Sequence, residues 1–310
     1  MSVAERTAVS PSARAVRLAR VREIASAYVA LTKPRIMLFL LFTAYSAMIV
    51  AHRGLPDIQS TIVCLIGLAL SSGGSAAVNM WYDRDIDAVM SRTAERPLPS
   101  GLVKPWHALA LGLTLGVLSV LVFWVFDDPL AAVFSAVGYV YYAVVYTMWL
   151  KRRTPQNIVI GGGAGAFPPL VGWAAATGHQ SAAAWVMFAV IFLWTPPHFW
   201  ALALYKNKDY VRAGIPMMPV VRGAVVTKVQ MFVYAMLLLA ASVLLAPSVR
   251  HPIVFVASAL VFGFVFLSST WRLLRTSAVD AEAKQAKRTF LQSLMYLPAV
   301  FGAAVLCTLL

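Results

Sequence analysis

Nine long apolar stretches dominate this chain of 310 residues and restrict what it can fold into. A bilayer core of about 30 Å needs about 20 apolar residues in a helix, and each stretch is near that length. Backbone inside lipid must be hydrogen-bonded within the protein, and no stretch alternates as a strand would. The stretches are residues 36–51, 61–81, 106–126, 129–150, 156–177, 183–204, 225–246, 253–270 and 290–310. We predict an all-α, polytopic membrane protein with nine transmembrane helices.

The composition is not that of a soluble globular protein. Apolar residues make up 60% of the chain and charged residues 12%, whereas soluble proteins average about 45–50% and about 25%. Cys64 and Cys307 both lie in apolar runs, which argues against a disulfide framework or a cysteine metal cluster. Pro34 either kinks a first helix that begins near Tyr28 or marks the true start of that helix.

The net charge of +14 is compatible with nucleic-acid binding as well as with a membrane topology signal. Its distribution separates the two, because 24 of the 26 Lys and Arg residues lie before the first span or in or beside the even-numbered connections. Only Arg53 and Arg250 remain for the other face. Cytoplasmic loops retain basic residues. We therefore predict a cytoplasmic N-terminus, an odd number of spans and no nucleic-acid partner.

The chain divides into a basic N-terminal cytoplasmic segment, residues 1–25, and a single membrane domain, residues 26–310. The arginines of residues 1–25 are compatible with a transit peptide or with an amphipathic surface segment. Glu5 and Glu23 weaken the transit-peptide interpretation. The segment lacks the continuous apolar region of a cleavable signal peptide. A bacterial cytoplasmic (inner) membrane is favoured over the alternative, a mitochondrial inner membrane.

Three oxygen-bearing side chains follow the second apolar stretch at helical spacing. Asn79, Asp83 and Asp87 are four residues apart, so on a helix they stack along one face. Two carboxylates on one stripe repel each other unless a cation lies between them, and Mg²⁺ binds carboxylate oxygens while keeping positions for phosphate. The alternative is an ordinary solvated helix end, with its acids balanced by Arg84 and Arg92.

Two arginines and a proline-rich turn follow the acidic stripe. Arg92 and Arg96 stand before Pro-Leu-Pro-Ser-Gly, and guanidinium groups match phosphate oxygens in a bidentate manner. Acids at one interface, beside arginines, suit a diphosphate head with a lipid-like tail, whereas transporters place their sites near the midplane. The stripe and the arginines together predict a magnesium diphosphate site at a membrane surface.

Several strings in this sequence resemble one enzyme family. They are LTKPRI (31–36), NMWYDRDIDAVMSRTAERPLPSG (79–101), YTMWLKRRTPQNIVIGGGAGAFPPLVGWAAATG (146–178), WTPPHFWALAL (194–204) and DYVRAGIPMMPV (209–220). They are similar to the protohaem IX farnesyltransferase (haem O synthase) family of UbiA-type intramembrane prenyltransferases, over about residues 28–220. The resemblance implies a transferase that moves farnesyl from farnesyl diphosphate to a vinyl group of haem b, giving haem O for haem-copper oxidases. Downstream partners would be haem A synthase or the oxidase assembly machinery.

The resemblance also implies roles for individual residues. Mg²⁺ would be bound by Asn79, Asp83 and Asp87, with both carboxylates catalytic. Asp85 lies about 200° around the helix from Asp83, so from its helix position we expect it to point away from the stripe and to pair with a basic neighbour. Arg92 and Arg96 would bind the diphosphate, joined by Lys151 and Arg152, which could equally be plain topology determinants together with Arg153.

The second acidic motif of related quinone prenyltransferases is depleted in this chain. Only Asp209 stands in Tyr205-Lys-Asn-Lys-Asp209, so a second Mg²⁺ is in doubt and Asp209 either binds metal or caps the loop. Lys206 and Lys208 could hold diphosphate or a haem propionate. This depletion argues against a quinone, chlorophyll or menaquinone prenyltransferase, and nothing positive supports a structural assembly factor.

An allylic cation needs a dry cavity with aromatic faces. The candidates for its wall, each of which could be ordinary packing, are Trp81, Tyr82, Tyr142, Tyr146 and Trp149. His198 lies at membrane depth beside Pro196-Pro197, which are expected to break the helix. We consider it a haem-iron ligand or a base, with a structural histidine as the alternative. Gly161 to Gly163 and Pro168-Pro169 are expected to interrupt the fifth span, for close helix packing or for approach to a ligand.

Overall fold

The computed structural model describes residues 13–310. Within that range nine helical segments are long and apolar enough to cross a bilayer, and no β-strand occurs. The nine segments are Pro34–His52, Ile58–Tyr82, Pro105–Phe126, Pro129–Leu150, Asn157–Thr177, Ala182–Tyr205, Met218–Ser248, Pro252–Arg275 and Val279–Leu309. The prediction of an all-α, multi-pass membrane protein is confirmed for the described residues.

Several segments contain more than one helical element, and we number the α-helices in chain order. They are α1 (Ala13–Leu31), α2 (Pro34–His52), α3 (Ile58–Tyr82), α4 (Arg84–Val89), α5 (Pro105–Phe126), α6 (Pro129–Val140), α7 (Asn157–Gly161), α8 (Phe167–Thr177), α9 (Ala182–Tyr205), α10 (Asn207–Arg212), α11 (Met218–Val243), α12 (Pro252–Arg275) and α13 (Val279–Leu309). A π-helix, Tyr141–Leu150, continues α6, and a 3₁₀ turn, Gly162–Ala166, joins α7 to α8.

The first span begins at Pro34, which settles the two alternatives left by the sequence. Lys33 adopts a left-handed conformation with φ 52°, so the chain turns sharply between α1 and α2. Proline suits the first turn of a helix because the N–H that it lacks would have no partner there. Helix α1 runs through the predicted domain boundary at residue 25, and residues 1–12 of the predicted N-terminal segment lie outside the described residues.

The proline and glycine positions behave in two different ways. The fifth span is interrupted as expected, by the 3₁₀ turn, and Pro168 stands in the first turn of α8. The expected break at Pro196-Pro197 is wrong, because α9 is one continuous helix from Ala182 to Tyr205. Helices α11 and α13 both pack along α9, and tight packing by neighbouring helices allows a membrane helix to tolerate proline.

Glycines bring pairs of helices into close contact. Helix α3 packs along α5, where a Cβ on Gly74 would overlap the backbone oxygen of Gly112. Helix α8 packs along α2, where Gly172 lies against the backbone of Ala44. Without a hydrophobic force between helices in lipid, such small residues supply the dispersion contacts that hold the bundle together.

One buried cluster links α4 and the residue that follows it to the end of α9, to α10 and to the start of α11. It contains Ile86 and Met90 from the first region, and Trp200, Tyr210 and Met218 from the second. The two predicted acidic regions are therefore held at the same end of the bundle.

Candidate active site

The acidic stripe lies at the end of α3 and is buried. Asn79, Asp83 and Asp87 are 3%, 0% and 3% exposed. The Asp83 N–H donates to the carbonyl of Asn79 and the Asp87 N–H to that of Asp83, so the helical register continues although Asp83 itself is non-helical (φ −85°, ψ 4°). Asn79 Nδ2 also donates to Asp83 Oδ2 at 2.7 Å. The buried stripe does not fit the alternative of a solvated helix end.

Each polar side chain of the stripe contacts a cation from another part of the chain. Lys151 Nζ donates to Asp83, and Arg96 donates to Asp87 Oδ2 at 2.7 Å. Charged groups taken out of water in this way must be paired and hydrogen-bonded to offset their lost hydration. The predicted diphosphate residues Lys151 and Arg96 therefore lie directly beside the acids.

Lys33 completes this set of cations, and the sequence reasoning missed it. Its Nζ donates to Asn79 Oδ1 at 2.6 Å and to the Tyr142 hydroxyl at 3.1 Å. Burial, with a further contribution from the Arg96 guanidinium, lowers the pKa of Lys33 to about 7. The available signal was its place before Pro34, where the turn between α1 and α2 directs the side chain inward.

The π-helix brings aromatic side chains to the same place. Thr147 accepts a hydrogen bond from Asn79 Nδ2 at 3.0 Å, and its hydroxyl donates to the carbonyl of Tyr142, five residues earlier. Tyr142 and Tyr146 stack with ring centroids 5.7 Å apart, one turn before Lys151. π-helical turns are rare in proteins as a whole, but they occur often at functional sites. Two of the five predicted wall aromatics, Tyr142 and Tyr146, thus lie beside the acidic stripe.

Gly161 supports this arrangement from the fifth span. A Cβ at that position would overlap the Tyr146 ring, while the neighbouring Gly162 lies against Thr195 and Gly163 against Tyr141. The glycine run therefore allows close packing of the helices, which is one of the two alternatives that the sequence left open.

Asp85 points away from the stripe, which confirms the prediction from its helix position. Arg152 forms two hydrogen bonds to the Asp85 carboxylate, both at 2.7 Å, and lies over the Tyr82 ring. These hydrogen bonds hold the pKa of Asp85 below its usual value. Arg152, predicted to bind diphosphate, is thus engaged mainly with Asp85, and its Nη2 is 3.7 Å from Asp83 Oδ1.

The remaining predicted acid, Asp209, is brought to the loop that follows Asp87. Ser91 Oγ donates to Asp209 Oδ2 at 2.7 Å, and Arg212 to Asp209 Oδ1 at 2.6 Å. The Ser91 hydrogen bond, together with Arg212, lowers the pKa of Asp209. The two acidic regions therefore meet, and Ser91 is a contact that the sequence reasoning did not anticipate.

The other predicted cations are less engaged. Lys206 lies over the Tyr205 ring, and Lys208 and Arg92 are exposed. Within residues 13–310, none of these three forms an ion pair with a carboxylate. They remain able to bind an anion.

The donor set suits a hard divalent cation. Asp83 Oδ1 is fully enclosed and accepts no hydrogen bond, so one carboxylate oxygen in the centre of the stripe lacks the partner that buried oxygens ordinarily have. The oxygens of Asn79 and Asp87 lie along the same helical register, and oxygen ligands are those that Mg²⁺ prefers. In the described part of the chain, no three acidic, histidine or cysteine side chains form a closed cluster, so a metal here would need phosphate or water as additional ligands.

Trp81 and His198 lie outside the group formed by the stripe and the tyrosines. Trp81 lines a cavity of about 340 Å³ with Tyr82, Arg84, Asp85 and Arg152. His198 is buried on α9, stacked on Trp194, and its Nδ1 is 2.7 Å from Ser293 Oγ of α13.

Comparison with known proteins agrees with this geometry. The model of the UbiA prenyltransferase family matches residues 40–294. A relative from Symbiobacterium thermophilum, named Protoheme IX farnesyltransferase, is 51% identical over 279 residues, covering 90% of this chain and 93% of its own. The protein of the same name from Hyphomonas neptunium is 44% identical over 310 residues, covering 97% and 95%.

Solved structures share the fold at low sequence identity. The chain superposes on digeranylgeranylglyceryl phosphate synthase with a TM-score of 0.70 at 15% identity, covering 92% of this chain and 99% of that one. It superposes on a UbiA homologue from Archaeoglobus fulgidus, bound to DMAPP and Mg²⁺, with a TM-score of 0.62 at 15% identity, covering 89% and 98%.

Proposed function

This chain belongs to the UbiA prenyltransferase family, and we propose that it transfers the farnesyl group of farnesyl diphosphate to a vinyl group of haem b, giving haem O and diphosphate. The observation that carries this assignment is its match, across nine tenths of its length, to the Symbiobacterium relative named for that reaction. The geometry agrees, because a buried acidic stripe paired with cations lies at one end of an apolar bundle. A transporter site near the midplane would not have this placement.

The residues at and around the stripe have two proposed roles, as magnesium ligands and as direct contacts to the diphosphate. The proposed magnesium ligands are Asn79, Asp83, Asp87 and Asp209. The proposed diphosphate contacts are Arg92, Arg96, Lys151, Arg152, Lys206 and Lys208. When bound, Mg²⁺ supplies positive charge that stabilises the departing diphosphate. Lys151 and Arg96, held beside the stripe by their ion pairs with Asp83 and Asp87, supply further positive charge for the diphosphate.

The chemistry breaks three bonds, the allylic carbon–oxygen bond, the π bond of the vinyl group and one O–H bond of water, and forms a carbon–carbon bond and a carbon–oxygen bond. The carbon–oxygen bond of the allylic diphosphate breaks, a carbon–carbon bond forms to the vinyl group, and water adds to the other vinyl carbon with release of a proton. The stacked Tyr142 and Tyr146 rings present aromatic faces that stabilise the allylic cation and shield it from water until the carbon–carbon bond has formed. Trp81 and His198 lie outside the group formed by the stripe and the tyrosines, so in this proposal the haem and prenyl pocket extends beyond that group, with His198 in contact with the substrate.

The test is a reconstitution with purified protein. Given haem b, farnesyl diphosphate and Mg²⁺, the protein should convert haem b to a pigment with the mass and chromatographic retention of haem O. Removal of Mg²⁺ with EDTA should stop this conversion, and readdition should restore it. A folded preparation that binds haem b and farnesyl diphosphate but forms no haem O would refute the assignment.

The site lies, in this proposal, on the cytoplasmic side of a bacterial inner membrane, with the N-terminal segment on that side. Ser100 and Gly101 follow the acidic stripe, whereas His179 follows α8 at the opposite end of the bundle. The basic connections support the cytoplasmic assignment.

Single cysteines can test this orientation. The native Cys64 and Cys307 are buried, so they should give little background labelling. In intact cells, an impermeant maleimide should label His179→Cys through the outer membrane pores and leave Ser100→Cys unlabelled until the inner membrane is opened. The reverse pattern would contradict the orientation.

A further inference from the structure

His198 is held on both faces by aromatic rings. Its imidazole lies 4.1 Å from the Trp194 ring, at 18° to it, and 4.8 Å from the Phe290 ring, at 30°, measured between centroids. Phe199 contacts it edge-on at 5.1 Å. With both faces covered, the ring can interact with a ligand only through its edge, where the two nitrogens lie.

The hydrogen bonds of Ser293 define which of these nitrogens carries the proton. Ser293 Oγ lies 2.6 Å from the carbonyl oxygen of Phe290, and a carbonyl has no proton to give, so the single hydroxyl proton of Ser293 lies in that contact. The 2.7 Å contact between Ser293 Oγ and His198 Nδ1 then needs the proton of the imidazole. His198 is therefore the Nδ1–H tautomer, and its Nε2 carries the lone pair.

A second contact fixes Ser293 relative to α9. Trp194 Nε1 donates to the backbone carbonyl of Ser293 at 2.8 Å. The same α13 residue thus receives one hydrogen bond from Trp194 and one from His198, which are one helical turn apart. Within residues 13–310, no hydrogen bond is made to His198 Nε2, and this atom is not among the enclosed polar atoms that lack a partner.

We propose that Ser293 is a positioning residue that presents His198 Nε2 to the iron of the porphyrin substrate. This inference rests on the proposed function, which makes haem b the substrate. A histidine that binds a metal through Nε2 ordinarily donates Nδ1–H to a fixed acceptor, which sets the tautomer and raises the basicity of the ligand. Ser293 is that acceptor. The ligated iron would hold the porphyrin at a fixed depth beside α9 and α13.

The experiment is a haem b titration of the full-length protein without farnesyl diphosphate. Wild type should give the absorption bands of imidazole-ligated haem, and His198→Ala should lose them and regain them on addition of free imidazole. Ser293→Ala should bind haem b about 10–100-fold more weakly, as loss of a partner behind a metal ligand does. In the ferrous protein it should also lower the iron–histidine stretching frequency in the resonance Raman spectrum, because the ligand loses its hydrogen bond.

Ser242→Ala is the matched control, since Ser242 is also buried and its Oγ contacts an aromatic residue of α13, Tyr296, at 2.8 Å. This variant should leave affinity and frequency unchanged. Wild-type spectra in His198→Ala, or a wild-type frequency in Ser293→Ala, would overturn the inference while haem O formation could still be intact. Conversely, histidine ligation without haem O formation would leave the inference standing and refute the proposed function.

Discussion

Asp83→Asn is expected to lower the rate of haem O formation by about 10²–10³-fold or more, the loss that follows removal of one preorganised electrostatic group from an active site. Asp83 is fully buried, accepts hydrogen bonds from Asn79 and Lys151, and keeps one oxygen without a hydrogen bond. Asparagine has nearly the same shape but no negative charge, so the site would lose the charge that binds the metal most strongly, with little change in packing. Initial rates at increasing Mg²⁺ concentration measure this loss.

Asp85→Asn provides the control two residues away. Asp85 is bound to Arg152, and its side chain is 62% exposed. Its replacement also removes one negative charge near Arg152, yet we expect the rate to stay within about threefold of wild type, since surface ion pairs contribute little. Comparable rate losses in the two variants would indicate a general effect of charge and contradict the role given to Asp83. Full activity of Asp83→Asn at saturating Mg²⁺ would also contradict it.

The sequence predicted the parts of this structure that depend on periodicity. Apolar length defines the spans, and the four-residue spacing of Asn79, Asp83 and Asp87 places them in one register. The direction of Asp85 followed from the same rule. These features are local, because they depend on helix geometry and on the cost of exposing polar backbone to lipid.

The missed features depend on contacts between distant segments. Lys33 reaches Asn79 across 46 positions, and Ser91 reaches Asp209 across 118. Tyr141–Leu150 contains no proline or glycine to indicate a π-helix, which forms where Thr147 bonds both Asn79 and Tyr142. At Pro196-Pro197 the prediction was wrong in the opposite direction. The general tendency of proline to break a helix predicted an interruption, but α9 is packed against two neighbouring helices and stays continuous. Tertiary contacts decided each of these cases.

Lys228→Met is expected to give the largest loss of stability away from the active site. Lys228 Nζ donates to Glu282 Oε2 and to the carbonyl of Thr276, both within 2.7 Å, which ties α11 to the first turn of α13 and to the connection between α12 and α13. The side chains of Lys228 and Glu282 are only 5% and 20% exposed. Removing one partner of a buried pair leaves an uncompensated charge and costs about 3–5 kcal/mol, with the lower end expected here because Glu282 retains some contact with water.

The measurement is the free energy of unfolding of purified protein in detergent, followed by loss of helical signal. Lys284→Met is the control, because Lys284 is exposed, lies two residues from Glu282 and forms no ion pair among the described residues. It should change stability by less than about 0.5 kcal/mol. The double variant Lys228→Met, Glu282→Leu should recover most of the lost stability, since it removes the unpaired charge as well. A double variant as unstable as Lys228→Met would show instead that the hydrogen bond to Thr276, rather than the ion pair, holds α11 in place.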